Sequence, residues 1–355
     1  MYFNIIKHKH IFLGIGGAIM LGAIALLSVF GLRMGIDFTG GSLTEVMYES
    51  APTQEAVESA ANELGFGGLS VQATSDGGDR SGYMIRTRDL TDAERQTLTE
   101  TVVALGTEGD VVRFTSIGPV IGQELAEKAK WAIAGVAIVI ILYIAIAFIR
   151  VGYPVRSWVY GGITIIALIH DVLVPAAVMS ILGVMAGAEV DVLFVTAILA
   201  VLGYSVNDTI VVFDRVRENL QRYRVEHVVE RKDVTGVIQK ETSYSLTKPF
   251  GEIVNLSINQ TLTRSINTSC TTLLALGALY FFGGVTTQTF ALILMAGVVA
   301  GTYSSIFLAN PLLVYYAERF VGFDTTVAEA DEPEDSAGVD GPSGSSAPPV
   351  TSTTA

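Results

Sequence analysis

Six long apolar segments constrain this chain more than any other feature of its sequence. Each is about 18 or more residues long, which lets a helix cross roughly 30 Å of hydrocarbon. Half of the 355 residues are hydrophobic and 16% are charged, below the roughly 25% usual in soluble proteins. The sequence therefore predicts a polytopic α-helical membrane protein with transmembrane helices at 11–32, 131–149, 157–183, 190–213, 262–282 and 288–317.

The positions of Lys and Arg predict how these helices are oriented. Lys7 and Lys9 precede the first segment, and further basic residues lie at 150–156 and 215–264. Because short cytoplasmic loops carry the excess of Lys and Arg, we expect 1–10, the loop 214–261 and both termini in the cytoplasm. No clear small-residue cleavage site follows the first segment, which we interpret as a retained signal anchor.

Residues 33–130 interrupt the apolar pattern and predict one water-soluble domain. We expect it on the side of the membrane opposite the cytoplasm, since segments longer than about 60 residues translocate largely regardless of charge. Alternating stretches predict strands, and Thr91 followed by Glu94 is a helix-capping pair. The predicted order is strand 42–48, helix 53–64, strand 69–74, turn 76–79, strand 83–88, helix 91–105 and strand 110–116. This βαββαβ order predicts a ferredoxin-like α+β extracytoplasmic domain.

The domain lacks a His, Cys or Ser constellation suited to catalysis. We therefore expect it to contact a polypeptide or a partner domain, with a passive spacer as the alternative. The single cysteine, Cys270, lies in an apolar segment, which excludes a disulfide framework, and no metal site is predicted.

The C-terminal segment 318–355 is predicted to be an acidic, disordered cytoplasmic tail. From Asp324 onward it contains seven carboxylates and no Lys or Arg: Asp324, Glu329, Asp331, Glu332, Glu334, Asp335 and Asp340. Such a composition buries too little apolar surface to offset the entropy of ordering.

Charged side chains within the apolar segments are the strongest functional signal. Each costs about 2.5–3.5 kcal/mol on insertion scales, so it needs a partner or a function. Asp208 lies about 9 Å inside the cytoplasmic end of the fourth segment, and Arg264 begins the fifth at a similar depth. One hypothesis is a proton site, in which a change of their separation makes the Asp208 carboxyl hold or release a proton. The alternative is a static Asp208–Arg264 pair that fastens two helices.

Other polar residues accompany this pair. Spacings of four, three and four residues predict one stripe on the fifth helix that faces protein or water and is a candidate lining of a hydrated path: Gln260, Arg264, Asn267 and Thr271. Asn207 adjoins Asp208. His170 and Asp171 in the third segment are candidates for the proton path or for interhelical hydrogen bonding, although adjacent helical residues point about 100° apart.

The run GIDFTGG at 35–41 predicts a tight passage from helix to strand. Asp37 and Thr39 can bond neighbouring backbone groups, while Gly40 and Gly41 permit a positive φ. Gly35, Asp37, Gly40 and Gly41 are therefore a hinge candidate, with a static turn as the alternative.

Three runs resemble motifs of the SecF family: GIDFTGG at 35–41, GYSVNDTIVVFDRVREN at 203–219 and INQTLTR at 258–264. The order of one span, one domain and five spans also matches, so the resemblance reaches from the N-terminus to about residue 320. It implies the RND-type transporter superfamily, and it implies that Asp208 and Arg264 are the proton-pathway residues.

The resemblance further implies a non-enzymatic subunit of the bacterial cell (inner) membrane. With SecD it would use the proton motive force to complete preprotein translocation through the SecYEG channel after the ATP-driven SecA step. SecD, SecYEG and the preprotein are the expected partners, joined by SecA and YajC/YidC. Protons are the coupling ion, and neither another cofactor nor a nucleic-acid partner is expected.

Two other functions are alternatives to this one. An RND-type exporter of lipids or small amphiphiles would need larger extracytoplasmic domains and an apolar substrate pocket. An intramembrane aspartyl protease would need a Gly-x-Gly-Asp run, whereas Asp208 follows Ser205, Val206 and Asn207.

Overall fold

The structure is a computed structural model that describes residues 3–75, 80–147, 154–232 and 238–321. The predicted turn at 76–79, the basic residue Arg150 and the acidic tail from residue 322 onward lie outside these ranges.

The first half of the chain holds one long helix and a small sheet domain. In chain order its elements are a 3₁₀ turn (Ile6–His8), α1 (Lys9–Phe30), α2 (Ile36–Thr39), β1 (Gly41–Tyr48), α3 (Gln54–Glu63), β2 (Ser70–Ser75), β3 (Ser81–Thr87), α4 (Asp92–Val103) and β4 (Asp110–Ile117).

The second half is mainly long helices. They are α5 (Pro119–Ala147), α6 (Ser157–Met185), α7 (Val192–Tyr223), a hairpin of β5 (Arg224–Lys232) and β6 (Ile238–Leu246), α8 (Phe250–Phe282) and α9 (Val285–Tyr303). A π-helical turn (Ser304–Ala309), α10 (Asn310–Tyr316) and a second π-helical turn (Ala317–Val321) continue the last helix.

The sheet domain, residues 41–117, confirms the ferredoxin-like prediction. Its four strands run in the order β2-β3-β1-β4, and every neighbouring pair is antiparallel. Alternation along the strands directs one face of the sheet toward α3 and α4. The core between the sheet and these two helices contains Val46, Ile85, Val57, Leu98 and Val102, each with essentially no exposed surface. This core holds the domain together because it buries the apolar faces of both layers.

The capping pair forms as predicted at the start of α4. The Thr91 amide donates to Glu94 Oε2 at 2.9 Å, and the Glu94 amide donates to Thr91 Oγ1 at 3.4 Å. Arg88 also pairs with Glu94, and its hydrogen bond is the main reason that the pKa of this carboxyl falls from 4.5 to about 2.

In the part of the chain that the structure describes, six helices are long and apolar enough to cross a membrane. Several of them extend past the predicted spans, and α5 begins at Pro119, inside the segment 33–130 that was predicted to be the water-soluble domain. α7 continues to Tyr223 and α8 begins at Phe250, so helix and the β5–β6 hairpin occupy most of the predicted loop 214–261. The extensions are helical because they continue an apolar face, with Val216 and Leu220 on α7 buried against the rest of the bundle.

The last helix changes winding next to its proline. Pro311 has no amide hydrogen, and its ring displaces the preceding turn of helix. The π-helical turn Ser304–Ala309 absorbs this disruption, and Asn310 Nδ2 donates to the Ser305 carbonyl at 2.6 Å.

Candidate functional site

Asp208 lies inside the helix bundle on the side of α7 that contacts α8, and 5% of its surface is exposed. The Ser265 hydroxyl on α8 donates to Asp208 Oδ1 at 3.2 Å. Oδ2 is buried and has no hydrogen-bond partner among the described residues. A carboxylate with one unbonded oxygen is costly in such surroundings, whereas a proton on Oδ2 removes the charge. The arrangement can therefore hold a proton.

Arg264 precedes Ser265 on α8, and its charge interacts electrostatically with the Asp208 carboxyl. The two helices thus meet at the level that the sequence predicted. No ion pair of 4.0 Å or less joins Asp208 to Arg264, both of which the structure describes. The static ion pair of the alternative interpretation is therefore not formed in this arrangement.

The polar stripe of α8 lies on an exposed side of the bundle. Gln260, Arg264, Asn267 and Thr271 are all exposed in the isolated chain, and so is Asn207 beside Asp208. Gln260 Oε1 accepts a hydrogen bond from Asn219 Nδ2 at 2.9 Å, which ties the N-terminal end of the stripe to α7. This chain alone does not enclose a hydrated path along the stripe, because the surface opposite it is uncovered.

His170 and Asp171 form a separate polar cluster, buried at 1% and 0% exposure. Although adjacent side chains were predicted to diverge, His170 Nδ1 lies 2.9 Å from Asp171 Oδ1. Ser205 on α7 and Ser304 on the π-helical turn both donate to Asp171 Oδ2, the latter at 2.8 Å. The cluster therefore joins α6, α7 and the last helix, in agreement with the interhelical interpretation.

The hydroxyl partners of Asp208 and Asp171 were not predicted from the sequence. Ser205 lies within the GYSVND run and Ser265 follows the INQTLTR run, so both were close to residues already selected. Serine gives a weak signal in an apolar helix, because its hydroxyl commonly bonds the backbone of its own helix. Ser205 lies one turn before Asp208, so α7 carries both polar contacts on neighbouring turns.

The GIDFTGG run joins α1 to the sheet domain through the short helix α2. Gly40 and Gly41 have φ values of +75° and +134°, as the sequence predicted. The Thr39 hydroxyl bonds the nearby Gly35 carbonyl at 3.0 Å. The prediction for Asp37 is wrong: its Oδ2 accepts from the distant Val192 amide at 2.9 Å, because the start of α7 offers unbonded amides.

Family models match most of the chain. The C-terminal region of the protein export membrane proteins SecD/SecF matches residues 95–235 and 234–319, and the SecD/SecF GG motif matches residues 25–52. Together with the six apolar helices and the ferredoxin-like domain, these matches define the class as a multi-pass SecD/SecF-type protein-export membrane protein.

Individual relatives narrow the class. Protein translocase subunit SecF of Thermobaculum terrenum is 39% identical over 325 residues, covering 89% of this chain and 94% of that protein. Protein translocase subunit SecDF of Thermus thermophilus is 34% identical over 306 residues, 85% of this chain and 37% of that protein. The chain belongs to the SecF family.

The solved structures agree. The crystal structure of SecDF from Thermus thermophilus has a TM-score of 0.73 and 30% identity, covering 90% of this chain and 39% of that one. The chain thus has a SecF-like, non-catalytic role in protein export, and the lipid or amphiphile exporter is not favoured. A relative that carries SecD and SecF in one chain supports SecD as a partner.

Proposed function

We propose that this chain, together with SecD, uses the proton motive force to assist and complete preprotein translocation through SecYEG after the ATP-driven SecA step. The observation that carries the proposal is the buried Asp208 carboxyl, which bonds Ser265 through one oxygen and leaves the other without a partner. An intramembrane carboxyl of this kind is a default candidate for a proton relay.

Arg264 gives this site two states. When its guanidinium is near Asp208, the charge favours the ionised carboxylate, and when it is farther away, a proton on Oδ2 offsets the cost of burial. Because the two side chains are close without being paired, a small shift between α7 and α8 changes which state is favoured. Protons are the proposed coupling ion. At this site they would be exchanged by the Asp208 carboxyl beside the Arg264 guanidinium and the Ser265 hydroxyl.

SecD is the proposed cover for the exposed polar stripe of α8. A guanidinium and an amide facing lipid would be costly, so another protein surface is needed opposite Arg264 and Asn267. The proton path would then run between the two subunits. SecYEG and the preprotein, together with SecA and YajC/YidC, are proposed as partners on family resemblance.

The proposed location is the bacterial cell membrane with both termini in the cytoplasm and the sheet domain outside. Ser81 is exposed in the sheet domain, and Gln221 is exposed near the end of α7. In a Cys270→Ser background, we expect Ser81→Cys to react with an impermeant maleimide on intact cells. Gln221→Cys should react only after permeabilisation, and labelling in the reverse order would overturn the orientation.

Arg264→Lys tests the role of the guanidinium. Lysine keeps the charge but lacks the planar fork and its fixed reach. We expect normal assembly with SecD and a gradient-dependent export rate reduced by about two- to ten-fold, since a change of one pK unit corresponds to about 1.4 kcal/mol or tenfold. Arg264→Gln should remove the gradient-dependent part completely. Both rates are measured in inverted vesicles with and without a protonophore, and a wild-type rate for Arg264→Gln would refute the proposed role.

A further inference from the structure

Three distant parts of the chain meet where the sheet domain contacts the membrane helices. We name this place the joint: residues 33–39 after α1, residues 186–192 from the end of α6 to the first residue of α7, and Arg86 on β3. The Gly35 amide donates to the Val190 carbonyl at 2.8 Å, and the Val190 amide donates to the Arg33 carbonyl at 2.7 Å. The first two parts are therefore paired through their backbones like short parallel strands.

The joint also holds the first turn of α7. Asp37 Oδ2 accepts a hydrogen bond from the Val192 amide at 2.9 Å, and Val192 is the first residue of that helix. A carboxylate at a helix N-terminus is stabilised by the unbonded amides and by the helix dipole. Any displacement of α7 along its axis therefore acts directly on the segment 33–39.

Arg86 connects this pairing to the sheet. Its Nη1 lies 2.6 Å from Glu189 Oε1 and donates to the Met34 carbonyl at 3.1 Å, while Nη2 donates to Thr39 Oγ1 at 2.6 Å. The side chains of Arg86 and Glu189 are each 22% exposed, so the ion pair is shielded from most solvent. One guanidinium thus holds both halves of the joint at once, as its planar, rigid fork allows.

Beside Arg86, part of the boundary between the sheet and the helix ends is not closely packed. A cavity of about 150 Å³ separates the open face of the sheet, including Leu43 and Met84, from helix residues that include Met179, Phe194 and Ile293. Apolar contact across this boundary is therefore interrupted. The polar contacts of Arg86 are one specific link between the sheet and the start of α7, beside Gln72, which packs against Gly187, and Arg113, whose charge interacts with Asp191.

We infer that Arg86 is a positioning residue for export: through Glu189 and the segment 33–39 it transmits displacement of α7 to the sheet domain. This inference rests on the proposed proton-driven function. Asp208 is on α7, about 24 Å from Val192 at 1.5 Å per residue, and a continuous helix moves as a rigid unit over that length. A shift of α7 caused by protonation then reaches the sheet domain through the joint.

The test is Arg86→Met in the complex with SecD, studied in inverted vesicles with and without a proton gradient. Methionine keeps much of the length of the side chain and removes every hydrogen bond. We expect wild-type complex yield and a five- to tenfold smaller gradient-dependent export rate, within the range of typical coupling effects. The matched control is Arg88→Met, two residues further along the chain, because Arg88 bonds Asp89 and Glu94 within the sheet domain. It should leave export unchanged.

A charge exchange separates transmission from folding. Arg86→Glu combined with Glu189→Arg restores the ion pair, and we expect it to recover much of the gradient-dependent rate that either single variant loses. Suppose that Arg86→Met lowers the complex yield through a folding defect. In that case, a charge-exchange variant that regains the yield but not the gradient response would overturn the inference. A wild-type gradient response in Arg86→Met would also overturn the inference. If Asp208→Asn loses its gradient response in the same experiment, the proposed function still stands. If wild-type export shows no gradient response, both fail together.

Discussion

Asp208→Asn is expected to abolish the gradient-dependent part of export while leaving assembly with SecD intact. Asparagine has the same size and shape, and its Oδ1 can still accept the hydrogen bond from Ser265. It cannot ionise, so it cannot exchange a proton at the level of Arg264. The export rate should therefore fall to the rate that wild-type vesicles show after the gradient is collapsed.

Asp214→Asn is the matched control for this variant. Asp214 lies on the same helix, but it is exposed and pairs with Arg217 at 2.7 Å. Exposed pairs of this kind contribute about 0–1 kcal/mol, so the control should assemble and export normally. A reduced complex yield for Asp208→Asn, with normal yield for the control, would instead indicate a structural role for Asp208.

Gly297→Leu is expected to disrupt the helix bundle itself. Gly297 on α9 faces α7 so closely that an added Cβ would come within 2.1 Å of Val201 Cγ2. One turn later, a Cβ at Gly301 would lie 2.9 Å from Ser205 Cβ. This small-xxx-small spacing lets the two helices approach closely, and leucine forces them apart.

Overpacking of this kind costs about 1–3 kcal/mol, and 2 kcal/mol corresponds to roughly a 30-fold change in the ratio of folded to unfolded protein. We expect the amount of complex recovered with SecD, and its melting temperature in detergent, to fall accordingly. Gly161→Leu on α6 is the control, because nothing in the described chain lies within 4 Å of its added Cβ. Equal yields for the two variants would show that the α7–α9 contact does not limit stability.

The sheet domain was predictable almost element by element. Its strands alternate, and local signals mark the helix starts: Thr53 accepts from the Ala56 amide, and Thr91 with Glu94 forms the capping pair. These signals lie within a few residues of the structure that they specify. The apolar segments also predicted that the six long helices exist. They did not predict how long the helices are, because the ends of α7 and α8 are amphipathic rather than apolar.

The joint could not be predicted, since its contacts join residues far apart in sequence. Asp37 bonds Val192 across 155 residues, and Arg86 bonds Glu189 across 103. No local pattern in either partner specifies the other. The Asp208 site was predictable in part. The apolar segment indicated that Asp208 is buried and at what depth, but its bond to Ser265 depends on how two helices pack.

The central claim is that the proton gradient drives the export step through proton exchange at Asp208. The most direct measurement follows proton release from the lumen and completion of preprotein translocation together, in inverted vesicles that contain wild-type or Asp208→Asn complex at matched yield. Wild-type vesicles should complete translocation only when the gradient is present, with protons released from the lumen at the same time, and Asp208→Asn vesicles should show neither. Normal gradient-dependent completion by a fully assembled Asp208→Asn complex would contradict the account.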